Sequence, residues 1–243
     1  MTGFIQPVVV SWTWGGGWLS KQGFFDFSGA GVVHLVGGSA GLIGAYIIRP
    51  RHGKEKDQKK RRDILVNEEF IELERISSNP EILKCWIRDR ENQPFKPYSI
   101  PFMVVGTLLL WISWLFFNGG SAKTMFGPRE KSVAKIIMNT MISGAISALI
   151  STFFKPYIMN TYKKSWYDVT GLCNGLLAGL VSITGSCINV HPWQAFIIGI
   201  GAAVVYTLGC RLLLKLNIDD PLEASAVHCF CGMWGLICVG IFD

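Results

Sequence analysis

Long apolar stretches alternate with shorter polar ones along most of this 243-residue chain. Windows at about 28–48, 99–118, 133–154, 169–186, 193–214 and 221–242 hold few charges. Each approaches the ~20 apolar residues that a helix needs to cross ~30 Å of hydrocarbon. The pattern therefore predicts six membrane-spanning helices and an all-α integral membrane fold. An apolar start at 4–19, where Trp12, Trp14 and Trp18 sit among glycines, reads as the end of a seventh helix at a membrane interface.

Composition fits this pattern. Half the residues are hydrophobic, 16% are charged, and there are 27 glycines and nine tryptophans, which is too apolar and glycine-rich for an ordinary water-soluble domain. A formal charge of +6 could point to nucleic acid, but the basic residues are placed otherwise. They crowd the connection between the first two full spans, from Arg49 and Arg51 to Lys96. They recur at Lys155, Lys163 and Lys164 after the third span and at Arg211 and Lys215 after the fifth. Lys21, Lys123, Arg129 and Lys131 are the few in the intervening connections. This alternation predicts which loops are cytoplasmic, sends helix 28–48 from outside to inside, and leaves no reason to expect a nucleic-acid partner. The seven cysteines lie mostly in apolar windows without a Cys-x-x-Cys pair, so they are read as packing residues, with neither a disulfide framework nor a metal site expected.

The chain also repeats itself. Setting residue n against n+194 matches Asp26 with Asp220, Ala30 with Ala224, Val33 with Val227, His34 with His228, Gly38 with Gly232, and residues 41–43 with 235–237. Four further spans lie between the two copies, so the second must run in the opposite sense and the repeat is inverted. Inverted repeats are a transporter and channel architecture with the pathway near the midplane where the halves meet. In each copy an Asp precedes a His by eight residues, a little over two helical turns, which carries both imidazoles to similar depth from opposite sides. Ionisable groups are costly inside a membrane and usually face a polar pathway, so the symmetry favours a joint role for His34 and His228 over two coincidental core histidines. An apolar surround disfavours the imidazolium, so both rings are expected to be neutral; two imidazoles in contact can share one N–H, and which nitrogen holds the proton is not set by the sequence. Small residues four apart, at Gly37 and Gly41, Ala40 and Gly44, Ser143 and Ser147, and Gly175 and Gly179, predict close helix packing.

Five motifs carry a resemblance: Trp14-Gly-Gly-Gly17, the stretch from Asp26 to Gly38 with its Val-Val-His-Leu-Val-Gly-Gly run, Phe117-Asn-Gly-Gly-Ser121, Asn139-Thr140, and Asp219-Asp-Pro-Leu-Glu-Ala-Ser-Ala-Val-His228. Together they resemble the ammonium transporter family over residues 12–49 and 94–243, and its microbial and plant branch more than the Rhesus-related one. The resemblance implies a bundle of eleven transmembrane helices in two inverted halves, assembled as a homotrimer with one pore per subunit. This chain corresponds to six or seven of those helices, from within the fourth to the tenth, so helices one to three and eleven are expected to be absent. It implies ammonium or ammonia as the transported species, the lipid bilayer and a plasma membrane as the setting, and neither cofactor nor enzymatic activity.

Residue by residue, the resemblance makes Trp14 and Ser121 an outer ammonium recruitment site, with an aromatic face for cation–π attraction and a hydroxyl to accept an N–H. It makes Phe117 one of two stacked gating phenylalanines, the other belonging to the missing third helix. It makes Asp26 a buried carboxylate that supports the recruitment site and the fold by capping backbone amides; a plain helix cap is the equal alternative. His34 and His228 would line the apolar lumen and relay a proton. Trp111, Trp114 and Trp234 take no assigned role, and His191 and His52 are expected in solvent-exposed loops. Segment 54–93, within a charged cytoplasmic insertion at about 50–96 of a single membrane domain over 1–243, mixes acids and bases. Within it, residues 63–76 have amphipathic spacing, suited to anionic lipid or a cytoplasmic regulator if it is not simply a solvated loop. Cys229 stands where the family usually has glycine. Two other functions remain in play: a non-conducting ammonium sensor or truncated inactive subunit, and bis-histidine haem ligation, which the aromatic vestibule motif disfavours.

Overall fold

Each long apolar stretch becomes a helix whose ends are set by local chemistry. The computed structural model describes residues 1–51, 99–123, 130–159, 161 and 165–242. Helices α1 (Ile5–Trp12) and α2 (Trp18–Lys21) come first, followed by α3 (Val36–Ile48), which continues a π-helical segment π1 (Ala30–Leu35). Then come α4 (Ile100–Gly120), α5 (Glu130–Ile158), α6 (Val169–Ile183) and α7 (Pro192–Lys215), and finally π2 (Ser225–Phe230) leading into α8 (Cys231–Phe242). Among the described residues five stretches are long and apolar enough to cross a membrane: Ala30–Ile48, Ile100–Gly120, Ser132–Ile158, Pro192–Lys215 and Ser225–Phe242. Helix α6, with 15 residues, is shorter than the span at 169–186 predicted from sequence. The apolar start at 4–19, read from sequence as the end of a seventh helix, forms α1 and α2 with the glycines at 15–17 between them, and the Trp12 and Trp18 rings lie 6.2 Å apart across that break.

Capping residues mark several starts. The Asp168 carboxylate accepts the Thr170 N–H at 2.9 Å ahead of α6. Ahead of α7, Gln194 accepts the His191 N–H at 2.6 Å while the exposed His191 side chain caps the first turn in return. Thus the expected exposed histidine also starts a helix. His52 and segment 54–93 lie outside the described residues.

Helices α5, α6 and α7 form the densest part of the bundle. The small residues predicted to pack do so here: Ser143 donates its hydroxyl to the Gly179 carbonyl at 2.8 Å, and a side chain on Gly175 would collide with Ser151 and the Ser147 carbonyl. Asn139 and Thr140, a motif with no role in the sequence reading, tie the bundle together. Asn139 Nδ2 donates to the carbonyls of Cys187 and Val190 at 3.0 and 2.8 Å, and Asn118 donates to the Thr140 hydroxyl at 3.0 Å, joining α4 to α5.

The expectation fails along α3. A side chain added at Gly37, Gly41 or Gly44 would meet no atom within 4 Å. The reason is geometric: α3 meets the bundle near its start, and its later turns, with Ile43 and Tyr46 exposed, project away from the other described helices. At its far end Arg51 donates to Asp219 from its backbone N–H and Nε, both at 2.9 Å, and from Nη2 at 3.1 Å.

Candidate functional site at the helix crossing

The two repeat copies meet at equivalent glycines. A Cβ on Gly38 would strike the backbone of His228 and Cys229, and one on Gly232 would fall 2.6 Å from the Ala30 carbonyl oxygen and 2.8 Å from the Leu35 nitrogen. Each helix therefore lays a glycine directly on the π-helical segment of the other. With no Cβ, glycine alone allows backbones to approach this closely. The neighbouring Cys229 turns its thiol toward the Ser39 hydroxyl, 3.4 Å away, so its extra bulk over glycine is accommodated against α3.

Both histidines sit on π-helical backbone, His34 in π1 and His228 in π2. A π turn inserts one residue into a helix and rotates the turns beyond it, and such insertions recur at functional sites. The crossing brings the two rings together, nearly parallel at 19° with centroids 5.3 Å apart. Both residues are half-buried, yet Nε2 of His34 and Nδ1 of His228 are buried and have no hydrogen-bond partner.

Trp114 completes the stack. Its indole lies 4.9 Å from the His34 ring at 18° and donates Nε1–H to the Thr184 hydroxyl at 3.1 Å. Phe117 is tilted against both, 6.1 Å from His34 and 6.0 Å from Trp114, and remains 43% exposed. The sequence held one clue to Trp114: it precedes Phe117 by three residues, so the two share a helix face.

The start of π1 is built around Asp26. Its Oδ1 accepts the N–H groups of Gly29 and Ala30 at 2.9 and 2.8 Å, and Oδ2 those of Gly31 and Val32 at 2.8 and 2.9 Å. These are the four N–H groups that a helix start leaves without internal partners. Burial pushes the Asp26 carboxyl above its ordinary range, and the four N–H donors oppose that shift. The Trp14 indole donates to the Asp26 carbonyl at 2.8 Å, and Gln6 donates to the Val32 carbonyl at 2.8 Å, so the start of the chain docks on the same turn. Phe27 and Ser28 donate in turn to the Gly185 and Thr184 carbonyls at 2.9 and 3.1 Å. Asp220 repeats the cap with fewer bonds, accepting from Ala224 and Ser225 at 3.1 and 2.6 Å.

His34, His228 and Phe117 are thus together, and Trp14 is joined to Asp26. Ser121 is placed differently: its hydroxyl donates to the Phe117 carbonyl at 2.9 Å, and no hydrogen bond joins it to Trp14. Among the described residues no group of three or more His, Cys, Asp or Glu side chains is arranged to hold a metal ion.

Paired histidines on crossing, repeat-related helices within an all-helical apolar bundle define a multi-pass membrane protein of the ammonium-transporter-like fold. The sequence profile of the Ammonium Transporter Family matches residues 1–68 and 84–243, and the chain belongs to that family. Over 264 residues it is 35% identical to ammonium transporter 1 member 4 of Arabidopsis thaliana, an alignment covering all of this chain and 45% of that protein. Its fold is similar to the crystal structure of Saccharomyces cerevisiae Mep2, with 29% identity and a TM-score of 0.72, covering 97% of this chain and 44% of Mep2. A structure described as a sensor Amt protein is similar at 30% identity and a TM-score of 0.76, covering 99% of this chain and 51% of that one. The chain therefore spans about half the length of the relatives it matches.

Proposed function

We propose that this chain forms the histidine-bearing part of a pathway for ammonium or ammonia across a membrane, the plasma membrane by analogy with the family. The observation that carries the reading is the stacked pair His34 and His228 at the repeat crossing, with two buried ring nitrogens lacking partners. Ammonium is close to potassium in size, so a pore cannot separate them by diameter. Deprotonation is a difference potassium cannot imitate. An apolar lumen excludes a bare cation but admits neutral ammonia, which needs only a few hydrogen-bond partners. The free nitrogens of the two rings are suited to supply them and to relay the proton.

In this reading Trp14, 48% exposed, attracts ammonium over its ring face with Ser121 as hydroxyl partner, and Phe117 gates the passage above His34. The Asp26 carboxylate holds the start of the turn that carries His34, and its backbone carbonyl anchors the Trp14 indole. The protein assembles as a homotrimer, turns over no covalent chemistry, and presents segment 54–93 to anionic lipid or a cytoplasmic regulator. The test is methylammonium uptake in cells stripped of their own ammonium transporters. Uptake should appear with the chain and vanish when His34→Ala is combined with His228→Ala; uptake that survives the double change with the same rejection of potassium refutes the reading.

One observation favours a second reading. The likeness to a structure described as a sensor Amt protein fits a subunit that binds ammonium without conducting it. Saturable binding to purified protein without flux in vesicles would select this alternative.

A further inference from the structure

The second repeat departs from the first at one backbone position. Gly29 and its equivalent Glu223 both adopt a left-handed conformation, with φ of 103° and 56°. Glycine does so without steric cost, whereas a residue with a side chain is strained there and persists only where its surroundings hold it. At Glu223 those surroundings are a buried ionic cluster drawn from α5, α6 and α7.

Lys155, only 3% exposed, stands at its centre. Its ammonium donates to both Glu223 carboxylate oxygens, at 2.7 and 2.8 Å, and to the Tyr206 hydroxyl at 2.8 Å, and lies 3.5 Å from Asp168 Oδ2. The Tyr206 hydroxyl donates to Glu223 Oε2. Asn174 Nδ2 donates to the same oxygen at 2.8 Å and to the Leu222 carbonyl at 3.2 Å. The Glu223 carboxylate is thereby held by three side chains while its own carbonyl accepts the Val227 N–H at 2.9 Å, at the foot of π2. It precedes His228 by five residues.

The cluster also replaces something. Asp26 satisfies four N–H groups at the start of π1, while Asp220 takes only two at the start of π2. The second turn thus has a weaker cap and a strained residue, and the clamp on Glu223 is what fixes it.

We propose that Lys155 is a positioning residue for His228, acting through Glu223: by clamping that carboxylate it sets the turn from which π2 winds, and so where the His228 ring stands against His34. The role in conduction rests on the pore reading of the two histidines. A buried ion pair is poor evidence of a stability role, since apolar replacements of both partners are often neutral or stabilising. Placement is the more economical account of three polar side chains, those of Lys155, Tyr206 and Asn174, gathered on one strained turn.

The experiment compares Lys155→Met with the double variant Lys155→Met plus Glu223→Gly in the chain reconstituted in lipid vesicles. Three quantities are read: melting temperature, methylammonium flux, and the 15N ring signals of His228, assigned by their loss in His228→Gln. Removing both charges and relieving the strained backbone should leave the double variant folded even where Lys155→Met alone is not. The proposal expects the double variant to melt at or above the parent temperature, yet to shift the His228 signals and lose flux by roughly tenfold to a hundredfold, as a misplacement near 1 Å does at a reacting centre. Parental ring signals in the double variant would overturn it, because the clamp would then serve only to neutralise its own charges. If the unaltered chain carries no flux, the pore reading fails by itself and the ring signals alone decide whether the clamp places His228.

Discussion

The indole of Trp114 stacks on the imidazole of His34, with ring centroids 4.9 Å apart and planes 18° from parallel, while its N–H is held by Thr184. Trp114 is only 8% exposed, so it backs the histidine pair as a fixed wall, and Thr184 connects that wall to the turn below π1 through its carbonyl bond with Ser28.

Replacing Trp114 separates the two contributions of that contact. Trp114→Phe keeps an aromatic face but leaves the Thr184 hydroxyl without its donor, at a cost of about 1 kcal/mol. Trp114→Ala also opens a void beside His34 and should cost about 3–5 kcal/mol. Chemical or thermal unfolding in detergent measures both, and flux should fall much more with Ala than with Phe.

The glycines of α3 should divide sharply. Gly38→Ala forces backbone against backbone at the crossing and should destabilise by about 1–3 kcal/mol while abolishing flux. Gly41→Ala meets open space and should be neutral or stabilising by up to about 1 kcal/mol, since alanine is the better helix former. Comparing melting temperatures of the two variants checks the difference.

Asp26→Asn leaves a single carbonyl oxygen where two carboxylate oxygens now accept four N–H groups. At least one buried donor loses its acceptor, for about 1–3 kcal/mol. Because Trp14 is bonded to the Asp26 carbonyl, its fluorescence should report a looser, wetter indole in the same variant. Unchanged stability would mean that the cap is dispensable.

Asn139→Leu removes two of the bonds that hold the turn after α6 to α5, leaving the one from Lys135 to the Asn189 carbonyl, and the carbonyls of Cys187 and Val190 are left buried without that donor. The loss should be about 2 kcal/mol or more. Hydrogen exchange should localise it to residues 184–190 and not to the histidine crossing.

The sequence made some of the site legible because the features involved are periodic or repeated. Apolar windows marked the helices, and the match of residue n with n+194 paired His34 with His228 and Gly38 with Gly232, all of which meet at the crossing. The repeat pairs Asp26 with Asp220, and a cap on backbone amides is expected of Asp26 alone, from the family resemblance; that Asp220 also caps its turn emerges only from the structure. The sequence did not reveal the π-helical backbone under either histidine, because a one-residue insertion into a helix changes rotation without altering the apolar count. Nor did it show which small residues pack, since Gly175 and Gly41 look alike until their neighbours are known.

Local and periodic chemistry therefore settles the helical membrane character, the helix starts and the equivalence of the two histidines, because each depends on residues within a few turns or on a pattern repeated along the chain. Trp114 against His34 and Lys155 against Glu223 are of another kind. These pairs lie 80 and 68 positions apart, on helices whose apolar faces would permit many arrangements, and neither pair shares a spacing or motif that singles it out. Which of those arrangements occurs is decided when the glycines at the crossing and the small residues between α5 and α6 allow backbones to close, since only then do side chains from distant segments come within reach of one another.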